Sequence, residues 1–277
     1  MNEPLYVLQW HETMGITTLT EERPFNAFDA KIRKEKERAA AKQATKEVQQ
    51  IAQNISQMHA APASPMATPS PIHAKLDTKR LADEATSLEQ LRKAVTEFKG
   101  LAITKTATNV VFCDGNPKAE VVFIGEAPGA DEDREGIPFC GQSGQLLRQI
   151  IKYTGLTKSE NFYITNSLFW RPPGNRKPTP EELAVCRPFV EKHIALINPK
   201  LIVAVGATAI ASILEKNGGI TKMRGKFFDY KNPYLDHTIS VMPMFHPSYL
   251  LRSPGQKKYA WHDALKIQEF LEKAQSA

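Results

Sequence analysis

Glu126, Phe139, Asn166 and His246 are the residues whose types and settings suit chemistry, and three of them stand just past short apolar runs. A carboxylate can orient or activate water, and an imidazole can donate to an oxygen that is gaining charge. An aromatic face can hold a planar group, while a side-chain amide offers a donor beside an acceptor, which suits the edge of an imide or amide base. Each has a plainer reading too. Phe139 could be core packing, an Asn at a strand end is often a turn residue bonding its own backbone, and an isolated His is more often structural than catalytic.

The loop Gly125-Glu-Ala-Pro-Gly-Ala-Asp-Glu-Asp-Arg-Glu-Gly136 excludes three other chemistries. It lacks the Gly-x-Gly-x-x-Gly of a dinucleotide site and the Gly-Lys-Ser/Thr of a phosphate loop, and its adjacent acids Asp131, Glu132 and Asp133 would repel phosphate. A calcium loop starting at Asp131 would meet Gln142 where a bidentate Glu belongs. What remains is a tight acidic turn able to hold Glu126 over a reaction centre. Cys113, Cys140 and Cys186 form no CxxC pair for zinc or for a redox dithiol, and they read as separate reduced thiols.

These residues need elements that bring them together. Apolar runs at Glu120–Gly125, Phe162–Thr165, Leu201–Val205 and Ile239–Met242 read as strands buried on both faces. Between and after them, helices are expected from Gly144 to Gly155, over Pro180–Ile197 and Ala207–Glu215, and over Lys257–Lys273, with an amphipathic helix over Leu88–Phe98 ahead of the first strand. Strand alternating with helix predicts an α/β fold, a three-layer α/β/α sandwich around a mostly parallel central sheet. In such a sheet the loops after the strands lie along one edge, so the motifs at Gly125–Gly129, Thr165-Asn166, Gly206 and His246-Pro247 should converge on one pocket.

The chain has 277 residues, 42% of them hydrophobic, enough for one domain-sized core with a tail to spare. Residues 1–58 read as a charged, partly helical extension, with a short helix expected over 4–15 and a stretch helical by composition over 30–58. Residues 59–74, rich in Pro, Ala and Ser, read as a disordered linker, and 75–277 as the compact domain. The net charge of +6 leans toward a polyanionic partner, but Lys31, Arg33, Lys34, Lys36, Arg38, Lys42 and Lys46 place much of the excess in the extension. No run is long enough to span a membrane and no signal segment is evident at Met1, so a soluble, cytoplasmic, nucleoid-associated protein is expected.

Taken together, the motifs resemble those of the family-4 uracil-DNA glycosylases, from about Thr104 to Phe270. The resemblance rests on Gly125-Glu-Ala-Pro-Gly-Ala-Asp-Glu-Asp133, Pro138-Phe-x-Gly141, Ile164-Thr-Asn166, Arg171-Pro-Pro-Gly-Asn-Arg176, Pro178-Thr-Pro-Glu-Glu182 and His246-Pro-x-Tyr-Leu-Leu251. It implies hydrolysis of the N-glycosidic bond of uracil in DNA, leaving an abasic site. Phe139 would then stack on the flipped uracil, the Asn166 amide would pair with its O4/N3 edge, and His246 would donate to O2 of the leaving base. Glu126 would position or activate water, with Glu132 and Asp133 as further candidates, and the Ala127 amide would face the base. Tyr249, Leu250 and Leu251 would wedge into the gap left by the extruded nucleotide, while Arg176, Lys177 and Arg252 meet phosphates.

The resemblance also carries a departure. The family typically holds a four-iron four-sulfur cluster on four cysteines, and by motif spacing those positions fall on Phe98, Leu101, Trp170 and Cys186. With Cys186 the one thiol at those positions, no cluster and no other cofactor is expected, and apolar packing should fill the volume. The stretch Pro172–Pro180 lacks the His-bearing basic insert with which another branch of the superfamily traps the sugar, so turnover without a covalent adduct is expected. Expected partners are uracil-containing DNA and, through the extension, replication or repair proteins; no membrane is implied, and the protein should be a monomer. Two alternatives stand beside this reading: a non-catalytic DNA-binding or polymerase-associated module of the same fold, and a glycosylase preferring another deaminated base.

Overall fold

The computed structural model describes residues 71–157, 160–215 and 219–276; the expected helices over 4–15 and 30–58 lie outside them, as does most of the linker. The first described element, α1 (Pro71–Glu84), is a helix the sequence pattern does not announce, and it crosses the expected domain start at residue 75. Ala74 and Ala82 on it are buried. α2 (Leu88–Glu97) starts at Ser87, whose hydroxyl accepts from the Gln90 amide, and it buries Leu91 and Val95.

The strands are β1 (Asp114–Gly115), β2 (Val121–Gly125), β3 (Phe162–Asn166), β4 (Leu201–Val205), β5 (Phe228–Tyr230) and β6 (Ile239–Met244). They form one sheet in the order β1-β3-β2-β4-β6-β5. The four central strands run parallel, as their continuous apolar runs require, and the short edges β1 and β5 pair antiparallel.

Successive side chains along each central strand enter different cores. Val122, Ile124, Ile202, Ala204 and Val241 face one layer, made by α1, α2, α5 (Pro180–Ile197) and α6 (Ala207–Leu214). Val121, Phe123, Val203, Met242 and Met244 face the other, made by α4 (Gln142–Ile151), α8 (Pro247–Arg252) and α9 (Lys257–Ser276). The expected three layers are therefore present. The short helices α3 (Ala130–Glu135) and α7 (Ile220–Met223) complete the fold. α5 begins where the sequence places it because Thr179 and Glu182 form a reciprocal capping box and Pro180 occupies the first turn.

Candidate active site

The loops after β2, β3, β4 and β6 meet along one sheet edge in a cleft of about 970 Å³, whose walls include Glu126, Ala127, Phe139, Asn166, Gly206 and His246. Two glycines make this approach possible. A Cβ on Gly125 would collide with Asn166 Oδ1 and with the Phe139 ring, so glycine at the end of β2 lets amide and ring share one wall. Gly206 has φ 94°, a region closed to most residues, and a Cβ there would stand 3.0 Å from His246 Cβ.

Asn166 ends β3 and is 1% exposed, paired in register with Gly125. Phe139 is buried with φ 54°, a left-handed backbone conformation that costs about 1–2 kcal/mol for a residue with a Cβ. Its ring lies 5.9 Å from that of His246, tilted 34°. Strain of this kind concentrates at functional sites, where the surroundings over-determine it.

His246 caps α8 through its ring: the Ser248 amide donates to Nδ1 at 3.2 Å, and Ser248 Oγ lies 2.8 Å from the same nitrogen. A nitrogen that accepts from a backbone N–H carries no proton, so the hydrogen of the neutral ring sits on Nε2. Burial, with Arg252 adding to it, pushes the His246 pKa down to about 4. At neutral pH the ring is therefore an uncharged donor through Nε2. Glu126 is half-buried, and Thr208 Oγ1 donates to its Oε2 at 2.5 Å.

The neighbouring acids have structural work. Glu132 accepts from the amides of Gly129 and Gly141, at 3.1 and 2.9 Å, and so ties the two loops that carry Glu126 and Phe139. Buried Asp133 accepts from the amides of Thr108 and Asn109, at 2.8 and 3.1 Å. Both carboxylates brace the turn, and Glu132 also lines the cleft.

The expected DNA-contacting residues divide. Tyr249 and Leu251 are exposed at 36% and 42%, and Lys177 and Arg252 are exposed at the rim of the cleft. Leu250 is a correction: it is fully buried in the core and cannot wedge into DNA. The reason is helical periodicity, because α8 turns Pro247 and Leu250 inward together and leaves Tyr249, Leu251 and Arg252 outside. Arg176 also lines the cleft, with its guanidinium forked onto Glu182 at 2.8 and 2.6 Å. That pair fixes the loop before α5 and orients Arg176.

The positions matched to cluster ligands do not fit an iron–sulfur cluster. They supply one thiol, a phenyl ring, an isobutyl group and an indole, where a cluster needs four thiolates. Phe98 packs against Trp170 at 5.9 Å and edge-on to Phe189 at 5.8 Å, with half-buried Leu101 against the same core. Cys186 is fully buried, and burial pushes its thiol pKa far up, which keeps it a packed apolar residue. Among the described residues, no group of three or more His, Cys, Asp or Glu is placed to hold a metal ion.

Sequence reasoning missed Thr208 and Ser248. Each follows a motif it singled out, Gly206 and His246-Pro247, and a strand-end position was the only signal available for them.

A sequence model of the uracil DNA glycosylase superfamily matches residues 112–268. The chain is 40% identical over 187 residues to a type-4 uracil-DNA glycosylase of Sulfurisphaera tokodaii, covering 66% of this chain and 84% of that one. It is 42% identical over 169 residues to a type-4 uracil-DNA glycosylase of Thermotoga maritima, covering 60% and 85%. A type-4 uracil-DNA glycosylase of Archaeoglobus fulgidus is 36% identical over 193 residues, covering 68% and 96%.

Proposed function

We infer the reaction from a premise and a geometry: the chain belongs to the uracil DNA glycosylase superfamily, and the cleft at its strand ends is walled by an acid, a ring, an amide and an imidazole. The protein excises uracil from DNA by hydrolysing the bond between N1 of the base and C1′ of the sugar. The observation that carries this is the Ser248 amide bonded to His246 Nδ1, with the imidazole beside Phe139 and a buried Asn166 lining the same cleft.

Uracil flipped out of the helix lies on the Phe139 ring. The Asn166 amide donates to O4 and accepts from N3–H; cytosine presents the opposite pattern at both atoms and is rejected. As the glycosidic bond breaks, its electron pair passes to the base and charge gathers on O2. The His246 Nε2–H donates to that oxygen without giving up its proton, so the anion is stabilised where it forms. Water oriented by Glu126 adds its oxygen to C1′, its proton is taken up by the carboxylate, and an abasic site remains. The Ala127 amide faces the base. Tyr249 and Leu251 occupy the gap in the stack, and Lys177, Arg252 and the free edge of Arg176 meet phosphates.

The domain acts as a monomer without a metal cofactor, and residues 1–70 tether it to replication or repair proteins. Deleting them should remove partners from a pull-down while base release persists. The test of the reaction is a panel of oligonucleotides carrying uracil, cytosine, thymine, hypoxanthine or xanthine, each cleaved at abasic sites with alkali. Cleavage confined to uracil supports the reading. Salt-sensitive DNA binding with no base release would leave only a binding module, and stronger release of hypoxanthine or xanthine would reassign the substrate.

A further inference from the structure

We infer that Thr208 is a positioning residue for Glu126, fixing the carboxylate so that one oxygen is held by protein and the other is left for the attacking water. The inference rests on the reaction proposed above and assigns a part in it to a side chain outside the four motifs. Thr208 sits in the first turn of α6, and its hydroxyl does not serve its own helix. It crosses to a loop 82 residues earlier in the chain and donates to Glu126 Oε2 at 2.5 Å. A hydroxyl bonded to a carboxylate is among the stronger polar contacts available to a side chain.

The surroundings explain why a clamp is useful. A glutamate has three side-chain torsions, and the last is broad and roughly two-fold, so an unheld carboxylate turns freely about it. Water activation needs a fixed lone pair, since misorientation at a reacting centre lowers the fraction of productive encounters. Threonine supplies a donor with little motion of its own, because branching at Cβ restricts its first torsion. The turn that delivers it is the same one that seats His246. Gly206, at φ 94°, precedes Ala207 and Thr208, and a Cβ there would press on His246 Cβ at 3.0 Å. One turn at Gly206 therefore lies against the imidazole and leads into the helix that carries the Thr208–Glu126 bond.

Single-turnover base release from a uracil oligonucleotide, with DNA affinity measured separately, tests this on the full-length protein. Thr208→Val keeps the shape and removes the donor. The expected loss is about tenfold in the chemical rate, part of the roughly 100- to 10,000-fold that a placed acid–base group contributes, with affinity unchanged. Thr208→Ser restores the donor and should return to within about threefold of wild type. In a Glu126→Ala background, Thr208→Val should cost nothing more, because the group it positions is gone.

Equal rates for wild type and Thr208→Val would overturn the inference. So would a loss that Thr208→Ser does not rescue, a loss confined to affinity, or the same fold-loss with Glu126 absent. If Thr208→Val does not fold, Thr208→Ala read in the same assays decides between the same outcomes. A wild-type protein that releases no uracil would instead remove the reaction itself, a result distinct from an active wild type matched by its Thr208 variants.

Discussion

Replacing Asn166 by Asp changes one amide to a carboxylate of the same shape at a position 1% exposed to solvent. On the proposed pairing, the change removes the donor to uracil O4 and sets two acceptors against each other in a buried site. An unsatisfied buried polar group costs about 1–3 kcal/mol, more when charged, and sites built on such pairing discriminate by up to ~10⁴–10⁵. A fall in single-turnover rate of roughly 10²- to 10⁴-fold at pH 8 is expected, at 1.36 kcal/mol per decade. The pH dependence has a definite sign. A buried carboxyl holds its proton more tightly than an exposed one, and in protonated form it again offers a donor beside an acceptor. Asn166→Asp should therefore recover activity as pH falls from 8 toward 5.5, by up to about one decade per unit, while wild type changes little. His246 does not interfere, since it stays neutral until the pH nears its value of about 4. The assay is alkali cleavage of an end-labelled oligonucleotide with one uracil, under excess enzyme, beside a melting curve for each variant. A folded Asn166→Asp within threefold of wild type at pH 8, or one whose deficit does not shrink in acid, would refute the placement of the amide.

Three further outcomes are expected. Leu250→Ala should destabilise the fold by about 2–5 kcal/mol in urea unfolding, whereas Leu251→Ala should leave stability within about 0.5 kcal/mol and weaken DNA binding; the reverse pattern would contradict the inside–outside assignment on α8. His193 is 1% exposed, stacked on Phe112 at 4.4 Å and bonded to the Tyr163 hydroxyl at 2.7 Å, and burial, with Arg92 adding to it, pushes its pKa down to about 3. Its folded value lies below its unfolded one, so its contribution to stability is whole above pH 6.5 and is lost as pH falls toward 3, at about 1.4 kcal/mol per unit. His193→Gln should flatten the difference between stabilities measured at pH 7.5 and 5 by about 2 kcal/mol, and an unchanged difference would refute it. Metal analysis of purified protein should find no stoichiometric iron, and a chelator should leave the melting temperature in place; iron at four atoms per chain would contradict the packing of Phe98, Leu101, Trp170 and Cys186.

The parallel core was legible because β2, β3, β4 and β6 are almost wholly buried and so are written as largely apolar runs, broken only by Thr165, Asn166 and Ser240. β1 and β5 escaped because they are short edges carrying Asp114 and Asp229, and pairing rather than composition makes them strands. α1 escaped because it opens in a proline-rich stretch and leaves Ile72 and Leu76 exposed, which blurs its periodicity. At the site, Glu126, Phe139, Asn166 and His246 were legible as types at strand ends, and the structure sets them around one cleft. What they need in order to work was not legible. The Ser248 amide that fixes the imidazole proton, the Thr208 hydroxyl on Glu126 and the Glu132 staple between two loops are partnerships across folded distance, and a single residue type does not announce them. Leu250 shows the converse error, since an apolar pair after a His-Pro turn looks exposed until the turn becomes a helix.

The central claim is that four side chains drawn from separate loops enclose a single pyrimidine, and the structure of a product complex with abasic DNA and free uracil tests it most directly. The expected complex has the base stacked on Phe139, O2 within hydrogen-bond distance of His246 Nε2, and O4 and N3 on the Asn166 amide. Ordered water should rest on Glu126, facing C1′. Uracil lodged elsewhere, or lying in this cleft with O2 turned away from His246, would contradict it.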